Sequence, residues 1–400
     1  MNSTLPCEGV RVVEFAHMVM GPTCGLILAD LGADVIKVEP AKGDNTRRLA
    51  ASGAGFWPAF NRNKRSLALD VGSPEGQEII KKLVQTADVV TENFRPGAMK
   101  QLGLGYDDFK PLRPDIIYCS LKGFLKGPYG HRVALDEVVQ MMGGLAYMTG
   151  LEGQPLRAGA SVNDIMGGMF GVIAILAAII ERNRTGQGQY IEGALYENNV
   201  FLMAQHMLQY SVTGVAAPPM SNRLVSWGIY DVFTSSDGQQ VFVGVVTDTQ
   251  WKTFCDAFRM TKLAADRELS TNNQRVQARE RVLPVVREAF SRMTKAELIE
   301  KCERVGLPFA PVMKPQELFD DPHLTASGGL AEITLADGRK ARAPKLPFEM
   351  DGRRFGTRLD LPPIGSHTKS LLNELGYPDS EIRQLSAKGV IRITEEEDCL

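Results

Sequence analysis

The sequence predicts an α/β protein: a Rossmann-like large domain on a doubly wound sheet, joined to a smaller α+β domain. Three observations carry that expectation. Strand-like and helix-like stretches alternate through the first 125 residues. The strands are continuous apolar runs, as strands covered on both faces are, rather than alternating ones. Capping and turn residues stand at the joints between them. Such alternation is the signature of parallel strands with helical crossovers.

The elements follow in order. Val10–Phe15 is the first strand; Pro22 opens a helical stretch to Leu31, which Gly32 closes. Val35-Ile36-Lys37-Val38 completes a β-α-β unit. Ser66–Asp70 is a strand, Ser73–Ala87 a helix begun by Ser73-Pro74-Glu75, and Asp88–Glu92 the next strand. Proline is tolerated in a first helical turn, and the acid after it complements the helix dipole. Ile116–Leu121 adds another strand. Further on, Tyr230–Thr234 and Gln240–Val246 flank Ser236-Asp237-Gly238 as a hairpin. Helices are expected near Thr249–Phe258 and Lys295–Val305, and a second hairpin over Ala331–Leu335 and Lys340–Ala343. The domain expectation is a large domain over 1–200, a small one over 224–346, and a helical segment, 364–400, returning to the first.

Composition excludes several function classes. The 400 residues are 44% hydrophobic and 23% charged with a formal net charge of -2, so no global basic field exists to hold nucleic acid or an anionic membrane. Six cysteines (Cys7, Cys24, Cys119, Cys255, Cys302, Cys399) lack metal-ligand spacing, and the five histidines are not paired. The expectation is a cytoplasmic protein with no disulfide framework, no metal and no tightly bound cofactor. Met1–Glu8 lacks the charged and apolar regions of a secretory leader. The longest apolar run, Ile165–Ile180, is short of the roughly 20 residues of a membrane span and reads as a buried helix.

The β-α-β start invites a nicotinamide site with Glu39 on a ribose. Its first turn, Phe15-Ala16-His17-Met18-Val19-Met20-Gly21-Pro22, lacks the G-x-G-x-x-G through which a pyrophosphate approaches the backbone. Asp164 stands at the mouth of the apolar helix, where dipole and free N–H groups favour its ionised form. Gly167 and Gly168 follow one turn later, leaving room for a ligand. Asp164, or Asn163 beside it, is equally readable as a plain N-cap. Asp136, in Leu135-Asp136-Glu137-Val138-Val139-Gln140, has the same two readings. Asn93-Phe94-Arg95-Pro96-Gly97 follows a strand's C-terminal end, where α/β sheets bind ligands. Asn61-Arg62-Asn63-Lys64-Arg65-Ser66 supplies local positive charge or a solvated face.

Taken together these segments resemble the family III CoA-transferases of the CaiB/BaiF type, the group that includes formyl-CoA transferase and carnitine CoA-transferase. The resemblance lies in G-V-R-V-V-E-F-A-H at Gly9, L-G-A-D-V-I-K-V-E-P at Leu31, G-D-N-T-R-R at Gly43 and N-R-N-K-R-S at Asn61. E-N-F-R-P-G at Glu92, the D-E-V-V-Q-x-x-G-G block at Asp136, and E-R-N-R-T-G-Q-G-Q after the apolar helix continue it. G-L-P-F-A-P-V at Gly306 and I-G-S-H-T at Ile364 complete a match over nearly the whole chain.

The resemblance implies that Asp164 is the nucleophile, forming an aspartyl-acyl anhydride and then an aspartyl-CoA thioester, with Asp136 a second active-site acid. It implies that His17, Val19 and Met20 lie in a CoA-contacting turn, that Leu69 and Asp70 stand near the adenine, and that Asn93, Phe94 and Arg95 meet pantetheine and phosphate. An acyl-CoA and a carboxylic acid are the implied small-molecule partners, and an intertwined homodimer the implied assembly. Gln101 and Gly72 replace basic residues of some members, leaving Lys42, Arg47 or Arg65 as phosphate candidates. No counterpart of the oxalate loop stands around Asn222–Gly228. Arg223 is therefore a candidate for a substrate's distal carboxylate, with succinyl-CoA as donor and a dicarboxylic acid as acceptor. The alternative is an α-methylacyl-CoA racemase of the same fold. Leu135 holds the position where racemases carry a histidine, and leucine supplies no half of an acid–base pair.

Overall fold

A computed structural model describes residues 5–222 and 226–394. Chain contacts divide it into two compact units, Met1–Ser221 with His323–Leu400, and Asn222–Pro322.

Along the chain, β1 (Arg11–Phe15), α1 (Met20–Asp30), β2 (Asp34–Glu39), β3 (Lys64–Leu69), α2 (Pro74–Gln85), β4 (Val89–Glu92) and β5 (Ile117–Lys122) come first. α3 (Asp136–Met142), α4 (Val162–Thr185), β6 (Tyr190–Ala194) and α5 (Leu195–Thr213) follow. The second unit carries β7 (Ile229–Thr234), β8 (Gln240–Val245), α6 (Asp248–Ala257), α7 (Lys295–Arg304) and β9 (Phe309–Pro311). The chain ends with β10 (Leu330–Thr334), β11 (Lys340–Pro344), α8 (Thr368–Glu374), α9 (Asp379–Ala387) and β12 (Ile391–Arg392).

The main sheet has the order β12-β3-β2-β1-β4-β5-β6, parallel except for β12, which lies antiparallel on β3. Successive residues of each strand serve opposite cores. Val13, Phe15, Ile36 and Val38 pack with Ile80, Leu83 and Val84 of α2 and with Leu371, Leu372, Ile382 and Leu385 of α8 and α9. Val12 and Val35 pack with Cys24 and Leu28 of α1 and with Val172 and Ile175 of α4. Both faces are covered, which is why the strands read as unbroken apolar runs. Ser73 caps α2, its hydroxyl accepting from the Gly76 N–H at 3.0 Å.

The second unit folds around its own core, with Phe233, Val243, Trp251, Phe254, Phe290 and Leu298 buried together. Its sheet is the β7–β8 hairpin with β9 added antiparallel, and Gly238 takes the left-handed turn position at φ 73°.

Three differences from the sequence expectation have physical reasons. The apolar helix is not buried all round: Met169, Ile173 and Ile180 on α4 are exposed, while Gly167, Gly168, Gly171, Val172 and Ile175 face inward. By length and composition alone α4 would suffice to cross a bilayer. The β10–β11 hairpin, expected in the smaller domain, is grouped with the first unit, where the following Leu346 is part of the α1–α4 core. The strands β6, β9 and β12 lie outside the strands the sequence predicts, because five residues with Glu and Gly, three residues with Pro, and two residues carry no periodic signal.

Candidate active site

The strand order turns back at β1, so the crevice between the C-terminal ends of β1 and β4 is the topological switch point where such sheets bind ligands. The His17–Pro22 turn stands there and is tied down from three sides. The Asn93 side chain accepts from the His17 N–H at 3.0 Å and donates to the His17 carbonyl at 2.9 Å. The His17 ring stacks on Phe94 with centroids 5.4 Å apart. Met18, at φ 64°, donates its N–H to Thr46 Oγ1 at 3.1 Å.

From beneath, two buried lysines reach up from the sheet. Lys37 Nζ donates to the Ala16 carbonyl at 2.6 Å and Lys64 Nζ to the Pro22 carbonyl at 3.0 Å. Both pair with the buried carboxylate of Glu14, at 3.3 and 2.8 Å. Burial pushes the Lys64 ammonium down to about 8, with Glu14 opposing it. Gly25 makes this packing possible, because a Cβ there would lie 1.7 Å from Glu14 Oε2.

A cavity of about 400 Å³ opens beside the turn, lined by Phe15, Glu39, Lys42, Leu69, Asp70 and Phe94 among others. It joins Leu69, Asp70 and Phe94, all expected near CoA, in one place at the C-terminal edge. Val19 and Met20 are there only as backbone: their side chains are buried, and Met20 packs in the core with α4. Arg95 is exposed, and its guanidinium has no partner among the described residues. Of the three phosphate candidates, two are committed elsewhere. Arg47 forks onto Glu39 at 2.9 and 2.7 Å and lies over Trp57, and Arg65 pairs with Asp34 and Glu374. Lys42 remains exposed at the cavity rim. Arg223 lies outside the described residues.

Asp164 occupies the third position of α4, behind the cap residue Ser161, whose side chain makes no capping bond. The cap comes from afar. Asp136 Oδ1, at the start of α3, accepts from the N–H groups of Asn163 at 2.8 Å and Asp164 at 3.2 Å. Its other oxygen meets Gln140 Nε2 and, at 3.5 Å, Arg157. Gln140, one turn along α3, accepts the Ala158 N–H at 2.8 Å. Asp136 therefore caps α4 rather than the helix it opens, whose N-cap is Leu135, and Asp164 caps neither, its carboxylate being left without a hydrogen bond among the described residues. Burial pushes that carboxyl up to about 7, the Asp136 charge adds to the rise, and Arg157 opposes it.

Gly167 and Gly168 do not make room for a ligand. A Cβ at Gly167 would sit 2.5 Å from Met20 Cε, and one at Gly168 2.7 Å from the Met20 carbonyl and from Thr23 Cβ. They let α4 lie directly on α1, with the Gly167 contact to Met20 coming one turn after Asp164. Gly143 of the second block is likewise a close approach, since its Cβ would meet Asn199 Nδ2 at 1.8 Å.

Sequence reasoning missed Arg157, Gln140 and Lys122. Lys122 Nζ holds the Phe94 carbonyl at 2.7 Å and pairs with Glu92 at 2.6 Å, fixing the Asn93–Arg95 loop. Asp136 and Gln140 at i and i+4 share one helix face, which was a legible signal for a joint contact.

A family model described as CoA-transferase family III matches residues 7–368. The chain is 34% identical over 387 residues to a succinate–glutarate CoA-transferase of Agrobacterium fabrum, covering 94% of this chain and 96% of the relative. A succinyl-CoA:glutarate CoA-transferase of Mus musculus is 31% identical, with 98% and 91% covered. The crystal structure of a CaiB/BaiF family protein from Brucella suis superposes with a TM-score of 0.84 at 32% identity, covering 93% of this chain and all of that one.

Proposed function

The chain belongs to CoA-transferase family III and is a CoA-transferase, and from that premise we propose that it works through covalent intermediates on Asp164, with succinyl-CoA as donor and a dicarboxylic acid as acceptor. The observation that carries this reading is the Asp164 carboxylate: without a hydrogen bond among the described residues, partly buried, and relieved of capping by Asp136.

In the first step an Asp164 oxygen attacks the thioester carbonyl, the C–S bond breaks, and CoA leaves as thiolate. The thiolate then attacks Cγ of the resulting anhydride, releasing the donor acid as its carboxylate and leaving CoA on Asp164. The acceptor carboxylate attacks that thioester, regenerating an anhydride and the thiolate, which takes the acceptor's acyl group and frees Asp164. A carboxylate nucleophile conserves the free energy of the thioester as an anhydride, provided water is kept out. The cavity at Leu69, Asp70 and Phe94 suits the nucleotide end of CoA, with Lys42 and Arg95 as the free cations for its phosphates.

Support for that donor comes from the relatives, of which the Agrobacterium, mouse and Chloroflexus aurantiacus proteins are named for succinate or succinyl-CoA. The racemase reading is disfavoured by Leu135, an exposed residue at the start of α3 with nothing to exchange a proton. An intertwined homodimer is proposed from the exposed apolar face of α4 and α5, including Ile173, Phe201, Leu208 and Val212. A cytoplasmic location is proposed from the five described cysteines, all free and buried.

The test is hydroxylamine trapping during incubation with succinyl-CoA, followed by peptide mass mapping. A hydroxamate on Asp164 that depends on the acyl-CoA is the expected result. Turnover without any such adduct would remove the covalent route.

A further inference from the structure

The reaction brings an anion to a place that already holds several. Asp136, Glu137 and Asp164 gather at the start of α3 and α4, and the free acid that leaves or arrives carries a further negative charge. The cation among them is Arg157. Its Nη2 is 3.5 Å from Asp136 Oδ2 and its Nη1 3.9 Å from Glu137 Oε2, and its Nε donates to the Ala158 carbonyl at 3.1 Å. Charge-assisted contacts of this kind normally close to about 2.7–2.9 Å. Asp136 does not depend on Arg157, because its oxygens already accept from two backbone N–H groups and from Gln140. The guanidinium is thus held by its Nε edge, while its two terminal nitrogens are loosely paired and the side chain is 35% exposed. Of the other cations described above, Arg47 is forked onto Glu39 and Lys122 is held by Glu92 and the Phe94 carbonyl, while Lys42 and Arg95 are assigned to the CoA phosphates. Arg157 also shares the Asp136 carboxylate with the Asp164 N–H, so the two residues flank one group.

We propose that Arg157 is the receptor for the reacting carboxylate of the free acid, gripping both the departing and the incoming acid against Asp164. A planar guanidinium presents two parallel N–H donors to a carboxylate, a geometry that a lysine cannot reproduce. Binding the acid there turns the encounter of two like charges into a paired one and orients one carboxylate oxygen toward the carbon under attack. The inference rests on the covalent reading of Asp164 and adds the residue that recognises the second substrate.

The experiment is exchange of isotopically labelled succinate into succinyl-CoA, run on the full-length protein with Arg157→Gln and Arg157→Lys. In the glutamine variant the KM for succinate is expected to rise at least tenfold, while that for succinyl-CoA changes less than twofold. The lysine variant, which keeps the charge and loses the fork, is expected to fall between. Thermal melting accompanies both, and if the glutamine variant does not fold, the lysine variant decides by the same split. Two KM values that rise together, or a succinate KM that does not move, would overturn the assignment. Hydroxylamine trapping on the wild-type protein keeps the two ideas apart. Trapping at Asp164 with an unmoved succinate KM sinks only the role of Arg157, whereas turnover without trapping sinks the covalent reading beneath it.

Discussion

At the scale of single residues, the proposed chemistry depends on which of two acids is free. In the covalent route proposed above Asp164 must be ionised to attack, yet burial and Asp136 hold its proton up to about 7. Transfer should therefore fall on the acid side with a midpoint near that value, as a pH–rate profile of kcat/KM on the free enzyme will read. The same shift has a stability sign. An acid that binds its proton more tightly when folded destabilises the fold as pH rises from its unfolded value to its folded one. Asp164→Asn should abolish transfer and, at pH 8, unfold at a higher temperature than the wild type, by on the order of 1–3 kcal/mol of stability. The difference should vanish near pH 4, below which both forms are neutral. Asp136→Ala removes the acceptor of two helix-end N–H groups and should cost about 2 kcal/mol in urea denaturation. It also deletes the neighbouring charge, so the acid limb of whatever activity remains should move to lower pH.

Elements are where the glycines find their reason. The sequence placed Gly167 and Gly168 one turn after Asp164 but could not say what approached them; the neighbour is α1, not a ligand. Gly168→Ala puts a Cβ against the Met20 carbonyl and should cost about 1–3 kcal/mol through overpacking. Gly159→Ala, whose Cβ meets nothing within 4 Å, is the control expected to be near neutral. Chemical denaturation of the pair compares them directly. The main α/β elements before Asp136 were legible because each declares itself locally, as Ser73-Pro74-Glu75 does for α2. The Glu14–Lys37–Lys64 cluster was not legible, since its members lie on three strands and read one by one as charges in apolar runs.

Across the whole molecule, the outward face of α4 and α5 carries a run of exposed apolar side chains. Ile173 and Phe201 are 58% and 68% exposed, and Phe170 packs edge-on against Phe201 at 5.5 Å. An apolar face of this kind on a folded chain marks a contact with another surface. In the proposed dimer a second copy covers it, so Ile173→Glu combined with Phe201→Glu should convert the dimer to monomers in sedimentation velocity. A wild-type chain that sediments as a monomer at micromolar concentration would remove the dimer.

What the sequence determined by itself is the α/β class, the main strand–helix alternation and the two hairpins, because period, caps and turn residues act over a few positions; it marked Asp136 and Asp164 as candidates without separating cap from catalyst. What only the tertiary structure decided is the division of labour between those acids. Asp136 reaches α4 across 27 and 28 residues of chain to do the capping, which leaves Asp164 without a hydrogen bond among the described residues. It also decided which cations are spent on Glu39, Asp34 and Glu374 and which stay open, and that glycines serve helix packing. A hydrogen bond or a steric gap between distant residues leaves no local pattern, since it exists only once the chain has brought its elements together.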